Sequence, residues 1–295
     1  MSYREEERYE IGDHMTTADA GDRIRLVRGL FPDLAAELDG ALAATGGAAD
    51  DFDAWLDGET ALLRSTAIGS AAFADVLDAG PRERFERAFA AARTVASWLG
   101  LEPPQPEAFA AAGVDLGGLG AALAVDPTLV PVPAPHGLGV AGWRRLFERA
   151  AEDDGPLAQR EGGSPLVLAS EAEREFAILD RTIPGVPVVR DGGSVGAVGW
   201  TLRLVPAGLA PAVLGLSFEH GPHATLPEML MLQLMRAVAG EPLVDARSFT
   251  WLAGALADGR LAARHVYDAA ERSVRINCRE VGNQGPHLGA RPPIA

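Results

Sequence analysis

The chain has 295 residues and a mass of 30.9 kDa, enough for one large domain or two smaller ones with a sizeable core. Hydrophobic residues make up 47% and charged residues 23%, a balance that excludes general disorder and fibrous repeats. The formal net charge of −15, carried with no lysine among the 26 basic residues, argues against nucleic acid and anionic membrane as partners and removes every chemistry that needs an ε-amine.

The opening residues, MSYREEERYE, mix charges of both signs. They read as a polar tail over 1–16 with no apolar stretch of the secretory kind, so the expected compartment is the cytoplasm. From 17 to 125 apolar residues recur at helical spacing: Ile24, Val27 and Leu30, then Leu34, Leu38 and Leu42, then Phe85, Phe89, Val95 and Trp98 on a helix opening near Pro81. Residues 1–125 hold 10 arginines against 22 acidic residues, and the helical stretch predicts an acidic domain of four to six helices. The run DPTLVPVPAPHGLG, 126–139, has four prolines and cannot continue a helix, which suggests a linker.

Residues 140–295 open on a helix bearing Trp143, Leu146 and Phe147, and then change character. Short β-branched runs bounded by glycine, proline or aspartate (PLVLA, VPVVR, GWTLRLV) read as strands. SFTWLAGAL, LAARHVYDA and SVRINCREV read as an antiparallel meander that turns at Asp258-Gly259. Between these groups, Thr225 and Glu228 form a capping box for a helix over Leu226–Ala239 that is apolar nearly all round and therefore buried. The expected fold is α+β: a helical N-terminal half, then a small mixed or antiparallel sheet domain with one buried helix and a C-terminal meander. The uncharged stretch 204–218 is broken by Pro206 and Pro211 and is too short to span a bilayer.

Two segments carry candidate chemistry. In LGLSFEHGPHATLPEM a strand enters a Gly/Pro turn with Glu219, His220 and His223 before the helix cap at Thr225. Such a helix N-terminus favours an anion, and the histidines suit acid–base work or, with Glu219, a metal, although hydrogen-bonding roles within the loop are the simpler account. In NCREVGNQGPHLGARPP the residues Asn277, Arg279, Asn283, Gln284, His287 and Arg291 lie between turn-forming glycines and prolines, which suggests an ordered, ligand-binding loop. Strand alternation puts Arg275, Asn277 and Arg279 on one face, able to bind a carboxylate or phosphate or to be solvated, and Cys278 on the apolar face as an inert thiol. The lone cysteine allows no internal disulfide. Gly192–Gly196 fits GxSxG but precedes a strand rather than a helix. Asp50, Asp51 and Asp53 lack a second acidic motif. Gly117–Gly120 follows no strand and reads as a flexible break. His14 and His136 have no evident partner, and His265 stands mid-strand beside Tyr267.

No family resemblance emerges, and the sequence leaves cofactor and metal undetermined. Two functions fit. One is a soluble accessory protein that binds a protein or small-molecule ligand without a complete catalytic constellation. The other is a hydrolase, lyase or isomerase acting on a small polar or anionic molecule, with His220, His223 and His287 catalytic beside the Asn/His/Arg loop. Both lean on the turn at 219–225 lying against the final twenty residues.

Overall fold

The computed structural model describes residues 77–152, 155–158, 163–190 and 198–295. The stripes before Leu77, the aspartates at 50–53, His14 and the GxSxG run all lie outside the described residues. Every described residue belongs to one compact unit that begins at Ser65. Its fold is α+β.

Three helices come first: α1 (Ala79–Ser97), α2 (Pro106–Ala111) and α3 (Leu116–Val125). The stripe expected after Pro81 is the buried face of α1, through Phe85, Phe89 and Val95. The glycine run read as a flexible break is helical instead. Asp115 caps α3 by accepting from the Gly118 amide at 2.9 Å, and Gly120 has no room for a Cβ because the Leu77 side chain packs there.

The proline-rich stretch is not a linker but strand β1 (Leu129–His136), buried along nearly its whole length. It pairs antiparallel with β4 (Gly199–Pro206), and β3 (Val189–Arg190) pairs with the other side of β4, giving a three-stranded sheet in the order β1-β4-β3. The spacing of the prolines explains why the strand survives. Pro131, Pro133 and Pro135 are two residues apart, so their missing N–H groups share the edge facing away from β4. Val130, Val132, Ala134 and His136 remain to exchange bonds with Val205, Arg203, Thr201 and Gly199.

Helix α4 (Gly139–Ala150) follows with Trp143, Leu146 and Phe147 buried, as their spacing predicts. Strand β2 (Leu166–Leu168) leads to the short helices α5 (Ser170–Arg174) and α6 (Phe176–Leu179). The remaining strands are β5 (Val213–Leu214), β6 (Phe249–Leu256), β7 (Leu261–Asp268), β8 (Ser273–Glu280) and β9 (Leu288–Ala290). With β2 they form a six-stranded mixed sheet in the order β2-β8-β7-β6-β9-β5, parallel at β2–β8 and β6–β9. The antiparallel meander is β6–β7–β8, and its first turn spans Ala257–Arg260 with positive φ at Ala257, Asp258 and Gly259.

Helix α7 (Leu226–Val238) carries the expected capping box and is the centre of the core, with every residue from Leu226 to Met235 buried. It packs against α1, α4 and β1. Its two buried polar residues point to opposite sheets: Glu228 to β4 and Gln233 to β7. One apolar core joins Phe85 and Phe89 of α1 to Trp200, Leu230 and Ile276, so the helices from α1 onward and the sheets are not separate folding layers. The C-terminus ties the sheets together: β9 lies in one, and Ile294 pairs with Leu204 of the other. Among the described residues no helix is long and apolar enough to cross a membrane.

Candidate functional site

Beneath the C-terminal segment lies a fully buried polar network centred on Asp245, which adopts the left-handed backbone region at φ 64°. Its carboxylate accepts four bonds, matching its lone pairs. Oδ1 accepts from Arg291 Nη2 at 2.5 Å and Ser248 Oγ at 3.3 Å; Oδ2 accepts from Thr250 Oγ1 at 2.7 Å and His265 Nδ1 at 2.8 Å. Arg291 Nε donates to Thr250 Oγ1, and Nη1 donates to the carbonyls of Pro206 and Gly208. Gln233 is oriented by two bonds with the Val244 backbone, which turns its amide NH2 toward His265 Nε2 at 3.0 Å. That nitrogen therefore accepts, and Nδ1–H donates to Asp245, which is also paired with Arg291. Burial pushes the Asp245 carboxyl up, but the bonds from His265 and Arg291 outweigh it and hold the group below its ordinary range.

A second buried pair crosses from β4 to α7. Arg203 donates from Nε and Nη2 to the two oxygens of Glu228, both at 2.6 Å. Glu228 Oε2 also accepts from the Thr225 amide at 2.7 Å, while Thr225 Oγ1 accepts from the Glu228 amide. The positive end of α7, an anion site in prospect, is thus already occupied by the helix's own carboxylate.

The two segments singled out in the sequence do meet. Gly215 and Leu216 donate to the Leu288 carbonyl, and Phe218 donates to that of Val281. Their side chains do not converge on one recess. His220 Nδ1 bonds Ser217 Oγ at 2.8 Å, and His223 is buried, bonded to the Phe218 carbonyl at 2.6 Å and stacked on the Phe218 ring. Burial lowers the pKa of His223. Thr225 serves the cap, and Arg291 serves the Asp245 network. Glu219, Asn283 and Gln284 are exposed. Asn277 and Arg279 lie on the outer face of β8, opposite Arg264 and Ala262 of β7. His265 is on the inner face, away from them. Cys278 is half-buried, and burial, with Glu171 nearby, raises its thiol, in keeping with an inert group.

His287 opens onto a different place, a cleft of about 710 Å3 lined by Pro156, Leu209, Ala210, Leu214, Pro242, Leu243, Ala246, Arg247, Ser248 and Tyr267. Leu209 is 63% exposed and Leu214 46%, so apolar surface is presented to solvent here. Arg247 and His287 are exposed, and their side chains make no hydrogen bond or ion pair among the described residues. Ser248 links this cleft to the network below, with its hydroxyl turned down to Asp245. A second cleft, about 740 Å3 between α1, α7 and β1, is lined by Arg84 and Arg236, but their guanidiniums are engaged. Arg84 donates to the carbonyls of Leu123, Asp126, Pro127 and Leu129, and Arg236 to those of Pro242 and Ala207.

Among the described residues no three His, Cys, Asp or Glu side chains are placed to hold a metal ion. The chain matches no family model, no curated protein and no solved structure. Sequence reading missed Gln233, Asp245, Arg247, Ser248 and Arg264. The one available signal was the polar pair Asp245 and Arg247 within the apolar loop after Pro242, where a helix has just ended.

Proposed function

We propose that this chain is a non-catalytic binding protein whose 710 Å3 cleft takes a small, largely apolar molecule bearing one anionic group. The volume lies within the range of small-molecule sites, and an apolar lining with few polar groups is the usual composition. The apolar body would rest on Leu209, Leu214 and Leu243, and the carboxylate or phosphate would face Arg247 and His287. One observation carries this reading: on the rim a guanidinium and an imidazole stand without partners among the described residues, while the ionic groups directly beneath are matched to one another. The alternative, an enzyme working through His220 and His223, has less support because both rings are bonded within their own turn. A cytoplasmic setting belongs to the same proposal and rests on the single cysteine, which allows no internal disulfide.

Thermal unfolding in the presence of hexanoate, benzoate and phenyl phosphate tests the reading. A saturating ligand at one hundred times its Kd stabilises by about 2.7 kcal/mol. At least one probe is expected to raise Tm in the native chain, with the increase abolished by Arg247→Ala and reduced by His287→Ala. Equal shifts in the native and Arg247→Ala chains would refute it.

A further inference from the structure

The outer face of the meander holds a second feature, independent of the cleft. Strand alternation places Phe249 and Trp251 of β6, Arg264 of β7, and Asn277 and Arg279 of β8 on this side. Arg264 stands directly opposite Trp251 on one neighbour and Asn277 on the other; Arg279, opposite Ala262, is its diagonal neighbour. The Arg264 guanidinium carbon lies 3.9 Å from the centroid of the Phe249 ring. That contact fixes the plane of the fork and shields Nε–H, which is out of solvent and has no acceptor. Arg279 and the Asn277 amide likewise make no hydrogen bond or ion pair among the described residues.

An ion-paired arginine on this face looks different. Arg275, two residues along β8, holds an ion pair with Asp268 at 3.2 Å, although its Nε–H is not aimed along that line. The next acid on β8, Glu280, follows Arg279 and so alternates to the other side. Two arginines therefore hold diagonal positions on adjacent strands, and among the described residues neither has an ion pair with a carboxylate. Burial and the charge of Arg279 together draw the Arg264 guanidinium below its ordinary pKa, the cost of two like charges held without a counter-ion.

We propose that Arg264, Arg279 and Asn277 form an oxyanion site that takes the phosphate group of a phosphate-bearing ligand. A phosphate dianion matches the two cations, whereas a carboxylate would leave one uncompensated. Its tetrahedral oxygens can accept from forks and an amide arriving from adjacent strands, and planar guanidiniums suit that recognition.

The test is a titration of the full chain with inorganic phosphate at constant ionic strength, followed through the 15N–1H signals of the arginine Nε–H groups. The Arg264 signal should shift saturably. Binding should weaken at least tenfold in Arg279→Ala, and also in Arg264→Lys, which keeps the charge and loses the fork. Acetate should bind at least tenfold more weakly than phosphate, and Arg247→Ala should leave the titration unchanged, which separates this site from the cleft. A phosphoserine peptide binding more tightly than inorganic phosphate would assign a protein-borne phosphate, and binding no tighter would assign a free one. A non-saturating shift, equal affinity in Arg279→Ala, or acetate equal to phosphate would overturn the proposal. Arg279 is exposed, so its variant remains informative if Arg264→Lys fails to fold.

Discussion

The two faces of the β6–β8 meander use the same kinds of residue in opposite ways. On the inner face His265 and Thr250 join Asp245, Arg291 and Gln233, and each carboxylate lone pair and ring nitrogen has a partner. On the outer face Arg264, Arg279 and Asn277 have side-chain N–H groups unengaged among the described residues, as Arg247 and His287 do on the nearby cleft. A buried polar group without a partner loses its hydration with no compensation, so satisfied networks belong to the folded core. Polar groups left unengaged at the surface are the ones available to a ligand. The residue types alone do not separate the cases.

The largest effect should come from breaking the inner network. Asp245→Ala leaves Arg291 buried and uncompensated, which typically costs 3–5 kcal/mol, and urea unfolding should show that loss. Replacing both residues with apolar ones should cost far less than the sum of the single changes, because the net worth of a buried pair is small beside the penalty for half of one. A loss below about 1 kcal/mol for Asp245→Ala would show that water reaches the site and that the contrast between the faces is false.

An intermediate effect should come from pH. His136 is buried on β1 with Nε2 bonded to Thr201 Oγ1, and burial lowers its pKa from 6.5 to about 4. The unfolded chain therefore binds a proton between these values that the folded chain refuses. Stability is complete above pH 6.5, falls as pH drops toward 4, and loses on the order of 3 kcal/mol over that window from this group. His136→Gln should remove this component, so the gap in unfolding free energy between the two chains should narrow or reverse as pH falls from 7 to 4. A gap that stays constant over that range would mean His136 titrates normally.

The smallest effect should come from the unengaged arginines. Arg247→Ala and Arg279→Ala should each change unfolding free energy by less than about 0.5 kcal/mol while abolishing or weakening their respective ligand responses. A destabilisation several times larger would place these side chains with the structural set and erase the distinction.

Local patterns in the sequence were sufficient for much of the architecture. The capped, all-round apolar helix had to be buried, the Phe85/Phe89/Val95 stripe had to face a core, and three β-branched runs separated by short turns had to form a meander, because period and burial are properties of neighbouring residues. Proline misled when counted rather than spaced: four in fourteen residues suggested a linker, yet the two-residue interval of Pro131, Pro133 and Pro135 suits the edge strand that β1 became. The glycines of α3 misled for a related reason, since Gly120 answers to the Leu77 side chain more than forty residues away in chain position. The sequence pointed to the turn after residue 218 as the part that lies against the C-terminal segment, whereas the backbone bonds come from Gly215, Leu216 and Phe218 before it, and the partner of each side chain there was not legible. His223 turned to a carbonyl five residues back, and Arg291 turned to an aspartate and to strand-end carbonyls. Which polar groups are satisfied depends on sheet order, register and the face each residue takes, and these are fixed by contacts between residues far apart in the chain. Sequence therefore set the elements and their buried faces, and only the tertiary structure sorted the polar residues into those that hold the fold and those left open to a ligand.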